Sequence, residues 1–263
     1  MWTVALALAL CAPISALPTQ TPVPLEDPIK SPFPIHESCN ATEQRQLATA
    51  LQETVTLVQH AKDHILQWGN ESAIYRKYFG DRPAITPIGA YDIIINGNPE
   101  TVLFRCDNPD GNCELEDWAG HWRGENATSE TVICELSYTT RRSLSTMCAQ
   151  GYTVSGSETN TFWAGDLLHR LYHLPAFGQG LIEHYADGYD GVLELAEGNR
   201  TEAVHDSETL QYFALEVYAY DVAVPGVGCV GDEDEHDHGS DDEEEEDIPE
   251  NCHTHDGGEL HCT

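Results

Sequence analysis

The cysteines place the strongest constraint on what this chain can fold into. They are Cys11, Cys39, Cys106, Cys113, Cys134, Cys148, Cys229, Cys252 and Cys262. Cys11 ends an apolar run that is followed by Pro13, Ser15 and Ala16, which is typical of a secretory signal peptide over residues 1–16. Removal of that peptide leaves eight cysteines, an even number that predicts an oxidising compartment and up to four disulfides. The spacing does not determine how they pair.

Four N-glycosylation motifs support the same compartment. Their asparagines are Asn40, Asn70, Asn126 and Asn199, each followed two residues later by Ser or Thr. The apolar run at the N-terminus is too short to cross a bilayer, so we expect no membrane insertion. The sequence therefore predicts a secreted glycoprotein, located outside the cell or at the cell wall surface.

Charge excludes one class of partner. The chain has 45 acidic and 12 basic residues, a net charge of −33, and nucleic acid binding needs the opposite sign. Twelve of the acids fall in residues 232–247, which contain no apolar side chain. We therefore predict a disordered acidic linker over residues 231–250. Six prolines between residues 17 and 36 predict an extended leader over residues 17–38.

Between these polar segments, residues 39–230 are predicted to form one folded domain. Apolar residues from about Glu43 to Trp68 recur at helical spacing, and Gly69 should end that helix. His60 and His64 lie one turn apart on it, and the charged residues between them favour a solvated face.

The rest of the domain shows a change of pattern. Short β-prone runs at 101–105 and 131–138, with cysteines in or beside them, predict a small disulfide-stapled sheet within residues 80–160. Helices are predicted at 162–173, 181–197 and 209–222, the last capped by Asp206 or Ser207. The fold class expected is α+β and mainly helical.

The first candidate metal site is the run from His169 to His173. Histidines at positions i and i+4 of a helix share one face and can bind one Zn²⁺, as in the HExxH motif of metalloproteases. His184 follows eleven residues later, and Asp187 would lie one turn beyond it. These four residues are the predicted metal ligands. The spacing alone also fits two ordinary core or surface histidines.

Arg170 occupies the position of the HExxH glutamate, which takes the proton from zinc-bound water. A guanidinium cannot act as that base near neutral pH. Glu183 or Glu216 could substitute, although no spacing argument supports either. We therefore expect a site that binds metal, and on balance we do not expect an enzyme.

A second candidate site is the cassette of residues 251–263. His253, His255 and His261 lie between Cys252 and Cys262, with the carboxylates of Asp256 and Glu259 among them. Clustered imidazoles suit Zn²⁺, Cu²⁺ or Ni²⁺. In a secreted chain the two cysteines are expected to form a disulfide, and thiolate ligation is the alternative. A tail that serves only solubility is the competing interpretation.

These motifs resemble those of the fungal pH-regulated antigen and zincophore family, which includes a major mould allergen. The resemblance rests on HRLYH (169–173), HYADGYD (184–190), the run 205–221 and the cassette NCHTHDGGELHCT (251–263). It implies a zincin-like domain, similar to the deuterolysin-type zinc proteases, that captures extracellular Zn²⁺. It also implies a plasma-membrane zinc transporter and host extracellular proteins as partners. In that protease group a third ligand follows the second histidine at about the interval that separates His173 from His184.

The leading hypothesis is therefore a secreted zinc scavenger, antigen and allergen with a structured site and a C-terminal site. A secreted zinc endopeptidase of deuterolysin-like fold is the alternative, against which Arg170 argues. An adhesin or immune-interaction protein is a third class, which the acidic tail and the glycans allow.

Overall fold

The computed structural model describes residues 30–231 and the backbone of two short strands further along the chain. The helices are α1 (Ala41–Trp68), α2 (Ala73–Phe79), α3 (Ile85–Asn96), α4 (Glu135–Thr140), α5 (Trp163–His173), α6 (Pro175–Gly178), α7 (Gly188–Gly198), α8 (Arg200–Ala203) and α9 (Ser207–Tyr218). The strands are β1 (Leu103–Arg105), β2 (Gly120–Trp122), β3 (Glu130–Ile133), β4 (Cys252–Thr254) and β5 (Leu260–Cys262). The predicted signal peptide and most of the leader and acidic linker lie outside the described residues.

Helix α1 confirms the first helical prediction. Asn40 and Glu43 form a capping box, in which the Asn40 side chain accepts from the Glu43 amide and the Glu43 side chain accepts from the Asn40 amide. Gly69, with φ 52°, ends the helix. The buried stripe packs against α3, α5 and α9 and includes Leu47, Leu51, Leu57, Val58 and Ile65. Most of the core is built on this helix.

The solvated face expected for His60 and His64 is wrong for His64. Its ring is buried, with Nδ1 2.8 Å from Asp221 Oδ2 and Nε2 2.7 Å from Ser72 Oγ. Ser72 is also the N-cap residue of α2. His64 therefore links α1 to the start of α2 and to Asp221, which is 157 residues away in sequence. A local charge pattern cannot reveal such contacts.

The predicted sheet is present and has three strands in the order β1-β3-β2. Strand β3 pairs parallel with β1 and antiparallel with β2. The run 131–138, however, continues as a strand only to Ile133. Cys134 then serves as the extended N-cap residue of α4 and is bonded to Cys113. The region also contains helix α3, which the β-prone pattern did not predict.

Three disulfides join described cysteines: Cys39–Cys106, Cys113–Cys134 and Cys148–Cys229. They confirm the prediction of disulfide bonding in this part of the chain. Phe33, from the segment predicted as a leader, is buried against the rings of Phe104 and Phe177. The folded unit therefore begins before the first disulfide.

Helix α9 lies at the centre of the molecule. The ring of Phe213 has five ring neighbours with centroids 5.0 to 6.3 Å away, namely His64, Tyr75, Tyr78, Phe79 and Tyr91. The predicted core helix is confirmed, although its last turn, Ala219–Ala223, is a π-helix. Within the described part of the chain, none of the helices combines the length and apolarity needed to span a bilayer.

The helix predicted over 181–197 begins only at Gly188. Residues 181–187 instead form an extended loop, in which Glu183 and Asp206 make an isolated parallel bridge. His184 and Asp187 therefore do not lie on one helical face, as the sequence pattern had suggested. Tertiary hydrogen bonds to the start of α9 hold this loop in place of helical ones.

Candidate metal centre

Helix α5 positions the first two predicted ligands. It is buried along nearly its whole length, and it ends at His173 because Leu174 is extended ahead of Pro175. His169 is buried and His173 is partly exposed, one turn further along. The histidine pair therefore lies at the C-terminal end of a rigid element, with one ring in the core and the next open to solvent.

The structure brings His184 to this pair. The Nε2 atoms are 2.8 Å apart for His169 and His173, and His184 Nε2 is 3.1 Å from each of them. Tetrahedral nitrogen ligands about 2.0 Å from Zn²⁺ lie about 3.3 Å from one another. Three converging imidazole nitrogens match the ligand set of zinc, and the fourth position would be left for water or another ligand. The residues present therefore fit the metal.

The loop that carries His184 is held by Asp206, the N-cap residue of α9. One carboxylate oxygen, Oδ1, accepts from the amides of Tyr185 and Ala186 at 2.7 and 3.3 Å. The other oxygen, Oδ2, accepts from the amide and the hydroxyl of Thr209 at 2.7 and 2.8 Å. A single buried side chain thus fixes the residues directly after His184 to the start of α9.

Burial raises the pKa of Asp206 to about 6, although the hydrogen bonds from the backbone oppose that shift. The folded chain therefore takes up a proton here at a higher pH than the unfolded chain does. By this group alone, stability increases as pH falls from about 6 towards 4. A loss of stability in mild acid would have to come from other groups.

Two neighbours of Asp206 also support the site. Ser207 Oγ lies 3.4 Å from Nδ1 of His184, the ring nitrogen that does not face the other histidines. Glu208 Oε2 accepts from the amide of Gly188 at 2.7 Å. Sequence reasoning singled out Asp206 and Ser207 only as alternative helix caps and did not single out Glu208. Their proximity to His184 depends on the tertiary packing of the loop against α9.

Asp187, the fourth predicted ligand, is not in the three-histidine group but in a second group that shares His184 with it. Its carboxylate belongs to a separate group with His184 and Glu208, whose potential ligand atoms lie within 4.8 Å of one another. Asp187 is exposed and Glu208 is fully buried. Both carboxylates are therefore close to one side of the centre, next to His184.

Arg170 takes part in a buried ion pair. Its Nε and Nη2 are 2.9 and 3.1 Å from the two carboxylate oxygens of Asp166, one turn earlier on α5. The guanidinium also lies so close to β2 that a Cβ at Gly120 would be 2.5 Å from Nη1. Arg170 thus links α5 to the sheet at the position where a hydrolytic motif has its base.

The two glutamates considered as substitute bases have other surroundings. Glu216 is buried and accepts from Lys77 Nζ at 2.8 Å and from the Tyr78 hydroxyl at 2.6 Å. Glu183 is exposed, and its backbone pairs with the residues flanking Asp206. Of the carboxylates described, those grouped with His184 are Asp187 and Glu208.

Two further clusters of potential ligands each contain a disulfide. Cys113 and Cys134 approach His121, and Cys39 and Cys106 approach Glu43. Their sulfur atoms are bonded to each other, so neither pair supplies thiolates. The three-histidine cluster is therefore the stronger metal candidate within residues 30–231.

The C-terminal cassette is described only as a backbone hairpin. Strands β4 and β5 pair antiparallel, with Cys252 opposite Cys262 and His253 opposite His261. His255, Asp256 and Glu259 lie outside the described residues. Metal binding by the cassette and the disulfide between its cysteines remain predictions.

All four asparagines of the glycosylation motifs are exposed: Asn40, Asn70, Asn126 and Asn199. Two of them are helix N-caps that accept through their side chains, Asn40 for α1 and Asn199 for α8. A glycan is attached through the amide nitrogen, which leaves the carbonyl oxygen available for capping. Glycosylation at these positions stays a prediction.

A comparison with models of protein families identifies one that matches most of the chain. Residues 9–232 match the family model HRXXH, described as "Putative peptidase family". The chain belongs to the HRXXH family. The HRLYH run of α5 carries the sequence for which that family is named.

Relatives of this HRXXH protein are fungal antigens. It is 80% identical to Antigen 1 of Emericella nidulans over all of both chains. It is 54% identical to major allergen Asp f 2 of Aspergillus fumigatus, over 98% of each chain. It is 53% identical to pH-regulated antigen PRA1 of Candida albicans, over 76% of this chain and 67% of that protein. The predicted family membership is confirmed.

A solved zinc peptidase from Grifola frondosa has a similar fold. The similarity has a TM-score of 0.50 at 17% identity and covers 68% of this chain and 97% of the peptidase. At this identity the comparison concerns the fold. It confirms the prediction of a mainly helical, zincin-like domain with a small sheet.

Proposed function

We propose that this chain is a secreted zinc-binding protein that scavenges extracellular Zn²⁺ through His169, His173 and His184. The observation that carries the proposal is the convergence of the three Nε2 atoms, none more than 3.1 Å from the next. Neutral imidazoles are preferred ligands of Zn²⁺. The similarity to a zinc peptidase in fold supports zinc among the metals that such a set could bind.

Binding without hydrolysis is favoured by the surroundings of Arg170. Zinc supplies a Lewis acid that activates bound water, and a peptidase also needs a carboxylate to take the proton. Here that position holds a guanidinium paired with Asp166. The histidines bind and orient the ion, while Asp206 and Ser207 hold the His184 loop in register.

An extracellular location is supported by the disulfides, which form and persist in oxidising compartments. The names of the relatives, antigen and allergen, support exposure to a host. A zinc transporter in the plasma membrane and extracellular host proteins are the partners that we propose on the family resemblance. Zn²⁺ itself is the cargo.

The proposal is tested by counting zinc in the purified full-length chain. We expect His169→Ala to lower the content by about one zinc per chain, because a two-histidine remnant binds zinc far more weakly. The matched control is His60→Ala, which removes a partly buried histidine of α1 that packs against Tyr218 of α9. An unchanged zinc content in His169→Ala would refute the site.

A secreted endopeptidase is the second candidate, favoured by the peptidase-like fold and by the carboxylates of Asp187 and Glu208 near His184. We expect the natural chain loaded with zinc to leave casein intact. Zinc-dependent cleavage that His169→Ala abolishes would reverse the ranking. Loss of that cleavage in Glu208→Gln would then identify Glu208 as the base.

A further inference from the structure

Strand β2 lies at one edge of the three-stranded sheet, with β3 as its neighbour. The outer side of β2 faces away from β3. The backbone amide of Arg123 donates to the carbonyl oxygen of Glu130, and the backbone amide of Cys134 donates to that of Ala119. These two bonds determine which residue pairs of β2 and β3 are hydrogen-bonded. Since bonded and non-bonded pairs alternate in an antiparallel ladder, the amides of Gly120 and Trp122 point outward. An edge of this kind offers pairing groups to another strand.

Both faces of β2 are already covered, so a partner can approach only along this edge. On one face the guanidinium of Arg170 lies against Gly120. On the other face His121 is buried, with its ring 5.8 Å from Trp118 and Nε2 3.2 Å from Asp110 Oδ2.

The C-terminal hairpin of β4 and β5 lies next to β2. Cα atoms of β5 lie within 8 Å of Cα atoms of β2. Near the last residue described before the hairpin, the carbonyl oxygen of Val230 accepts from the amide and hydroxyl of Ser155. The twenty residues 232–251 can extend over about 65 Å, which is ample for the hairpin to return to the sheet.

We infer that the hairpin β4–β5 docks on the outer edge of β2 and that the cassette and the three-histidine centre form one zinc-binding unit. Strand β2 packs on α5, and its neighbour Arg170 is adjacent to His169 in the chain. His253 and His261 are register partners in the hairpin. Docking brings that pair to the strand that packs on α5, the helix of His169 and His173.

The zinc part of this inference rests on the proposed function, whereas the docking part does not. Tethering makes zinc capture by the second set of ligands intramolecular, which raises its effective concentration. We therefore expect the hairpin to strengthen zinc binding at the three histidines, and zinc to hold the hairpin more firmly on β2.

Residue-resolved amide hydrogen exchange on the full-length chain tests the docking. Leu260→Pro removes a donor from β5 and disrupts its pairing. The control, Glu243→Pro, makes the same change in the acidic linker. We expect the amides of Gly120 and Trp122 to exchange about tenfold faster in Leu260→Pro and at the natural rate in the control.

Two results would overturn the docking. One is equal exchange of Gly120 and Trp122 in all three chains. The other is faster exchange at His121 and Arg123 as well, because those amides bond to β3, and the change would then affect the whole sheet rather than its edge.

Zinc affinity provides a separate readout. We expect Leu260→Pro to weaken zinc binding at the three-histidine centre about tenfold, with Glu243→Pro unchanged. An unchanged affinity in Leu260→Pro would overturn the single-unit inference. If His169→Ala leaves the zinc content unchanged while the exchange result holds, the zinc function fails and the docking stands.

Discussion

At the scale of single residues, the ion pair of Arg170 and Asp166 constrains what can replace the arginine on α5, the helix that carries His169 and His173. Both side chains are buried, and Asp166 also lies 3.4 Å from Arg141. A buried carboxylate is tolerated when cations and donors surround it. The arginine in the motif therefore has a structural role as well as being unsuited to act as a base. Restoring the HExxH motif would require a change at more than one position.

We expect Arg170→Glu to destabilise the protein by about 3–5 kcal/mol, because it places a second carboxylate beside Asp166 in the core. Thermal or denaturant unfolding measures the loss. Asp166→Asn introduced with Arg170→Glu should recover part of it, since that change removes the repulsion. Natural stability in the single variant would contradict the structural role of the pair. Hydrolysis by the variant should be judged only after its folding has been checked.

At the scale of elements, the loop that carries His184 depends on α9 for its position. We expect Asp206→Asn to lower zinc affinity about 10- to 100-fold, because an amide cannot accept on both sides from the donors of Tyr185 and Thr209. Competition with a chelator measures the affinity. Asp190→Asn, an exposed change on α7, is the control. Equal affinity in both variants would mean that other contacts hold the loop.

The elements that sequence reasoning predicted well are those with local causes. Helices α1 and α5 follow from apolar periodicity and from their ends at Gly69 and before Pro175. Helix α3 was missed because its sequence, ITPIGAYDIIIN, is rich in β-branched residues and includes Pro and Gly. Packing against α1 overrides that propensity. A helix was wrongly predicted over 181–187, where Asp206 holds the backbone extended.

Part of the candidate metal centre could be predicted in the same way. The i, i+4 spacing of His169 and His173 is a local signal, and the position of His184 eleven residues later, together with the family resemblance, indicated the third ligand. Asp206 and Glu208 act through contacts with residues about twenty positions away. No periodicity in a single sequence encodes such contacts.

At the scale of the whole molecule, the histidines of the C-terminal cassette and the carboxylates before it predict how zinc affinity changes with pH. Imidazoles must be neutral to bind metal, so the affinity of the cassette should fall as pH drops through about 6.5. Carboxylates of residues 232–247 stay ionised over that range and cannot cause the transition. Titration of an oxidised 232–263 peptide with Zn²⁺ at pH 5 and pH 8 measures it.

The peptide titration also separates the possible ligands. Equal affinity at the two pH values would mean that carboxylates, rather than His253, His255 and His261, hold the metal. Loss of binding on reduction would support a Cys252–Cys262 disulfide that holds the residues between the two cysteines in position to bind metal. A gain on reduction would identify the two cysteines as thiolate ligands.

The three disulfides have a consequence for how the protein withstands proteases. They enclose residues 39–106, 113–134 and 148–229, so cleavage at one peptide bond inside any of these loops leaves both pieces covalently joined. Between the first and the last of these cysteines, separation by a single cut is limited to the stretches 106–113 and 134–148. A nicked chain would run as two fragments on a gel only after reduction. Proteases in the surroundings could therefore cut the molecule in most places without dispersing its histidines.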